Sequence, residues 1–287
     1  MLEKIIHVLE HAILDSLNLL PFLFITYIIM EYIEHKMTDK SKKAIEKSGK
    51  FGPIIGGIVG AVPQCGFSVS ATNLFSSRVI TLGTLIAVYL STSDEMIPVL
   101  LSESFDIDII VKLVLIKVFI GMLAGLVIDA VIRFRKKEDK EIKIHDMCED
   151  EECHCENGIL KSSIKHTLNI FIYIFITTLI LNLIIELVGE ETIGNLILNK
   201  KVIGTLIAGL IGLIPNCASS VIISQLYAKS LISCGALLAG LLVGAGVGIL
   251  VLFKTNKNLK ENIKIVTLLY TIGTICGIIF ELSGIVL

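Results

Sequence analysis

The chain has 287 residues, of which 54% are hydrophobic and 18% charged, with a formal charge of −2 at pH 7. That mix excludes an ordinary soluble globule, and the near-neutral balance gives no footprint for a nucleic-acid partner. The charged residues collect in short blocks between long apolar runs, the pattern of helices that cross lipid and are joined by wet loops.

Six runs are long enough to span: 12–34, 79–101, 109–132, 166–188, 231–252 and 264–286. Each has about 22 residues, against the roughly 20 needed to cross a hydrocarbon core. The first follows Met1-Leu2-Glu3-Lys4 and has no small-residue cleavage site after it, so it reads as a retained helix. Two further runs, 51–77 and 202–229, are Gly-rich and interrupted by Pro63 and Pro215. These two are copies. Aligned at an offset of 152, residues 51–90 and 203–242 share 14 identities in 40 positions. The shared Gly, Pro and Cys positions carry the argument, because Leu and Ile matches arise by chance in any pair of membrane helices.

Lys and Arg cluster in 35–50, 133–165 and 253–264 and are missing from 102–108 and 189–199. By the positive-inside rule the three basic loops are cytoplasmic and the other two lie outside. The chain is then inside at residue 50 and outside by residue 102, so 51–101 crosses an odd number of times. The Pro-broken run must enter and leave by one face, as a re-entrant hairpin with its tip near Pro63-Gln64-Cys65. The same count brings 202–229 in from the opposite face, with its tip near Pro215-Asn216-Cys217. The expected fold is an all-α integral membrane protein of two inverted-topology repeats, each span–re-entrant hairpin–span–span, about ten helical segments in all. Its divisions are 1–135 for the first repeat, 136–163 for a cytosolic loop and 164–287 for the second repeat. The expected location is the cell inner (plasma) membrane, multi-pass, and a homo-oligomer is compatible with it.

Inverted-repeat transporters place substrate near the midplane at broken helices from both repeats, where unwound backbone can face protein or water. The predicted substrate-binding set is therefore Gln64, Cys65, Ser68 and Asn73 from one hairpin, with Asn216, Cys217, Ser220 and Gln225 from the other. Taken singly, the hydroxyl residues of the second arms read equally well as helix packing. Asp94 and Glu95 fall within the third run, where carboxylates default to a functional reading. They form a proton or cation relay, or the span ends early and both are outside. The counterpart, Gly244-Ala245-Gly246, has no carboxylate. His11 and Asp15, with Asn18, share one face at the start of the first span, as a metal or proton site or as a polar collar.

Of the seven cysteines, Cys65, Cys217, Cys234 and Cys276 lie in apolar runs, while Cys148, Cys153 and Cys155 share an acidic loop. An odd count, with one cluster in a loop expected to be cytosolic, points to thiols and metal ligands, not a disulfide framework. His145, Cys148, Cys153, His154 and Cys155 combine thiolates and imidazoles that suit zinc, copper(I) or arsenic(III). Their spacing matches no zinc finger, which leaves a metal-collecting or sensing loop, or an idle acidic linker.

The paired elements Gly60-Ala61-Val62-Pro63-Gln64-Cys65-Gly66-Phe67-Ser68 and Gly212-Leu213-Ile214-Pro215-Asn216-Cys217-Ala218-Ser219-Ser220 resemble the bacterial ten-helix heavy-metal exporter family, whose members are described as arsenic efflux proteins or manganese transporters. Leu19-Leu20-Pro21-Phe22-Leu23 and the His/Cys loop resemble it too, and the chain is distantly similar to permeases that export trivalent organoarsenicals. The resemblance implies export of a metal or metalloid ion across the bilayer. No P-loop is visible, no cofactor is expected, and the proton gradient is the expected drive. The leading expectation is a secondary exporter of an arsenic(III)-like or other thiophilic species. The alternative is export of manganese or another hard divalent cation through Asp, Glu and amide oxygens. An intramembrane enzyme is the remote third reading, since no nucleophile–base pair stands in one place.

Overall fold

A computed structural model describes residues 51–93, 96–135, 159–188 and 201–284, with 13, 17, 20, 21, 23–29, 32 and 49 before them. Among the described residues the chain is helical and no strand occurs. After a first helical stretch at 23–29 come α1 (Gly52–Gly60), α2 (Cys65–Ser76), α3 (Leu82–Ser91), α4 (Met96–Ser102) and α5 (Ile107–Arg135). Then follow α6 (Ile159–Val188), α7 (Lys201–Gly212), α8 (Cys217–Ala228), α9 (Cys234–Val243), α10 (Gly248–Thr255) and α11 (Leu259–Ser283). The helix α6 starts at Ile159, inside the stretch expected to be loop.

Among the described residues, five stretches are long and apolar enough to cross a membrane, and burial divides them into two classes. Leu82–Ser102 and Cys234–Thr255 are 75% and 83% buried, whereas the other three, on α5, α6 and α11, are buried over only about a third. The first two are the centre. The others turn Leu115, Phe119, Ile172 and Ile279 outward, which in water would be costly and against acyl chains is not.

Both central spans differ from the continuous helices that their hydropathy suggests. The helix α3 stops at Ser91 and α4 starts at Met96, with Thr92 and Ser93 non-helical between them. In the second half α9 stops at Val243 and α10 starts at Gly248. The two breaks fall at the same place in the aligned copies.

The copies also repeat their contacts. A Cβ on Gly83 would lie 2.2 Å from the Gly125 carbonyl oxygen, and one on Gly235 would lie 2.6 Å from that of Gly277. Each pair is 152 residues from the other, so α3 meets α5 backbone to backbone as α9 meets α11. Such approach is how small residues stabilise helix pairs where lipid removes the hydrophobic drive. Thr81 and Ser233 cap the two central helices by accepting from Thr84 and Ala236 amides. Arg78 (φ 60°) and Ser230 (φ 56°) make the same left-handed turn just before those caps.

The halves are joined by polar bonds as well as by the apolar core. The Arg78 guanidinium donates to both Glu261 carboxylate oxygens, at 2.9 and 2.6 Å, and Ser76 and Thr255 hydroxyls meet at 2.8 Å. Tyr89 and Thr72 both donate to the Gly248 carbonyl at 3.2 Å.

Candidate functional site

Each Pro-bearing run folds as two short helices around a tight turn. The helix α1 gives way to α2 at 61–64, and α7 to α8 at 213–216. Proline cannot donate an amide, so the first arm stops before Pro63 and Pro215. The next residue in each copy, Gln64 (φ −159°, ψ 117°) or Asn216 (φ −150°, ψ 150°), is extended and starts the second arm. Their amides make the same bond, to Val62 and Ile214 carbonyls at 2.8 and 2.7 Å.

The first residue of each second arm is a cysteine, placed at the positive end of its helix dipole. The Cys65 and Cys217 sulfurs approach to 3.0 Å, although the residues are 152 apart in sequence. Both are free thiols. The two tips therefore meet, and they meet sulfur to sulfur.

The amides divide by role. Asn216 is 1% exposed, its Oδ1 accepts from the Ala218 amide, and its Nδ2 donates to Asn182 Oδ1 on α6. Gln64 makes no side-chain cap at the equivalent place. Ser68 and Ser220 donate to the carbonyls of Cys65 and Cys217, both at 2.8 Å, so each hydroxyl braces the backbone that carries a thiol. Asn73 is fully buried, and neither of its side-chain amide atoms has a hydrogen-bond partner among the described residues. Gln225 is half-buried. Eight residues separate Cys65 from Asn73, about 12 Å of helix, so a single ion with bonds of about 2.3 Å to sulfur cannot touch both.

A small pocket of mixed polar and apolar lining lies beside the second tip. The Thr92–Ser93 break, Gly244 and Gly246 at the other break, Asn216, Ser220 and Lys117 line it. Lys117 on α5 is 1% exposed, and its Nζ donates to the Thr92 carbonyl that the break leaves without a helical partner. At the equivalent position of α11 stands Leu269, fully buried.

Lys117, Asn182 and the two helix breaks are features of the site that the sequence reading misses. A lone Asn in an apolar run and a Lys within a span are the signals that could have found them. His11, Asp15, Asp94, Glu95, His145, Cys148, Cys153, His154 and Cys155 lie outside the described residues, as does 136–158 of the central loop. Among the described residues, no group of three or more His, Cys, Asp or Glu side chains could hold a metal ion.

A family model described as "Putative, 10TM heavy-metal exporter" matches residues 3–188, more than half of the chain. The match takes in the first tip, the broken central span and α6. No curated protein and no solved structure matches the chain.

Proposed function

The chain belongs to this family of ten-helix heavy-metal exporters, membrane transporters and not enzymes, and from that premise we propose that it carries a thiophilic metal or metalloid out of the cytosol between two thiols, Cys65 and Cys217. The observation that carries this reading is the 3.0 Å approach of these sulfurs. Soft thiolates select soft ions, and each thiol comes from its own hairpin, so an ion bound to both joins the copies at one point. Asn216, fixed by Asn182, and Gln64 position the ion, which takes its other ligands from amides, hydroxyls or oxygens of its own.

In this reading the copies are inverted. The arms α1–α2 enter from the cytoplasmic face and α7–α8 from the outer face, and the basic loops 35–50, 133–165 and 253–264 are cytoplasmic. The membrane is the inner (plasma) membrane, with 1–135 and 164–287 as the two repeats. Metal binding to thiols releases protons, which suits an exchange driven by the proton gradient, with Asp94, Glu95, His11 and Asp15 as relay groups. The central loop offers His145, Cys148, Cys153, His154 and Cys155 as a collecting site. Asn73 and Gln225, too far along their arms for the same ion, line its path.

The pocket supports a second reading, transport of a hard divalent cation such as manganese. Thr92, Ser93, Asn216 and Ser220 offer the oxygens that such ions prefer. The buried ammonium of Lys117 in the same pocket argues against a bare cation there.

Metal transport into inverted membrane vesicles, measured with arsenite and with manganese, tests both. Cys65→Ser and Cys217→Ser are expected to lower arsenite transport at least tenfold. Wild-type arsenite rates in both variants would sink the thiol reading, and manganese transport that survives both would favour the oxygen one.

A further inference from the structure

The two thiols have a chemistry that does not need a metal. We infer that Cys65 and Cys217 are a modification site at which a two-electron oxidant of the peroxide class joins the hairpin tips by a disulfide and stops transport.

Four observations carry this. The sulfurs stand 3.0 Å apart, so reaching a bond of about 2.05 Å needs an approach of only about 1 Å. Both residues are free cysteines, and Cys65 is partly open while Cys217 is 7% exposed. A small uncharged oxidant can therefore reach the first sulfur, and the second is its nearest resolving thiol. Each cysteine is the first residue of an ordered helix and is braced by the hydroxyl three residues on, so the pairing belongs to the fold and not to a chance collision. Cys234 and Cys276 are also free cysteines, but they lie at the start of α9 and within α11, and neither is carried on a hairpin tip.

The balance is simple. Peroxide oxidises the Cys65 thiol to a sulfenic acid with loss of one water. The Cys217 sulfur then attacks that sulfur, forms the S–S bond and expels a second water. Two thiols lose two electrons and two protons, and one peroxide becomes two waters. An external dithiol reverses the step by exchange. The disulfide ties residues 152 apart across the two halves, so any motion that separates the tips is blocked, and neither sulfur can hold an ion.

The test uses the full chain in its own membranes, with a protease site placed within 136–158 so that cutting separates the halves on a denaturing gel. After hydrogen peroxide the halves of the unsubstituted chain are expected to stay linked until dithiothreitol is added. Cys65→Ala and Cys217→Ala chains are expected to show at least tenfold less link. Peptide mass spectrometry of the unsubstituted protein should find the Cys65–Cys217 pair directly, which keeps the inference testable if either variant fails to fold. Halves that separate after peroxide with both thiols still open to alkylation would overturn it, as would a link that survives Cys65→Ala. The proposed metal reading fails independently. If it is wrong, the link still forms but vesicles show no thiol-dependent arsenite transport. If it is right, peroxide lowers that transport at least tenfold and dithiothreitol restores it.

Discussion

Arg78 and Glu261 offer the most direct measure of how firmly the two halves hold together. Arg78 leaves a left-handed turn after the first hairpin, and Glu261 sits in the first turn of α11. Their side chains are 18% and 19% exposed, and the two terminal guanidinium nitrogens each donate to one carboxylate oxygen. Exposed pairs contribute about 0–1 kcal/mol, but a bidentate pair four-fifths buried belongs with charged hydrogen bonds of about 1.5–3 kcal/mol. Arg78→Gln and Glu261→Gln keep length and remove one charge each. Glu261→Gln leaves the Asn258 cap of α11 untouched, because that bond uses the Glu261 amide. A double-mutant cycle on thermal unfolding in detergent is expected to give a coupling of about 1.5–3 kcal/mol, a Tm loss for either single variant of roughly 3 to 12 °C, and little further loss in the double variant. Coupling below about 0.5 kcal/mol, or losses that simply add, would refute the view that this pair is a working tie between the halves.

Two other variants probe the centre. Lys117→Met keeps the stem and removes the ammonium from the Thr92 carbonyl, which leaves a buried acceptor unpaired at about 1–3 kcal/mol. Vesicle transport should fall at least tenfold while the protein still elutes as one species; unchanged transport would remove Lys117 from the site. Gly83→Val places carbon against the Gly125 carbonyl and the Asp129 carboxylate, and neither the backbone nor a buried carboxylate held by the Thr81 hydroxyl and Gly83 amide can give way. It should cost more than the roughly 1–3 kcal/mol of ordinary overpacking, read as loss of folded protein in the membrane.

The helix breaks at Pro63 and Pro215 were legible because their signal is categorical. A Pro stops a helix, a second Pro 152 residues later stops its copy, and the Cys two residues on is then carried to the tip in both. The breaks in the central spans were hidden because hydropathy averages over a window. Ser91-Thr92-Ser93-Asp94-Glu95 is a short polar stretch whose apolar neighbours on both sides raise the window mean, and Gly244 and Gly246 are apolar enough to pass as helix. Lys117 was hidden for another reason. Charge counting asks on which side of the membrane a Lys lies, and a Lys inside it answers a different question. Asn182 gave one polar letter in a run of Ile and Leu, visible but silent about its partner, since Asn216 lies 34 residues away on another element.

The recurrence of the same contacts 152 residues apart bears on direction. Under the proposed inversion, two identical halves would make the inward-open and outward-open forms mirror partners of equal energy, and an idle molecule would divide its time evenly between them. The side chains undo that degeneracy. Arg78 is tied to Glu261 and Ser76 to Thr255, whereas near the positions 152 residues away Phe105 lies against Tyr227 with ring centres 5.7 Å apart. A difference of about 1.4 kcal/mol between those two sets of contacts is enough to bias the resting population about tenfold. Under that inversion the repeated backbone would act as a balance, and these unmatched side chains would set where it rests.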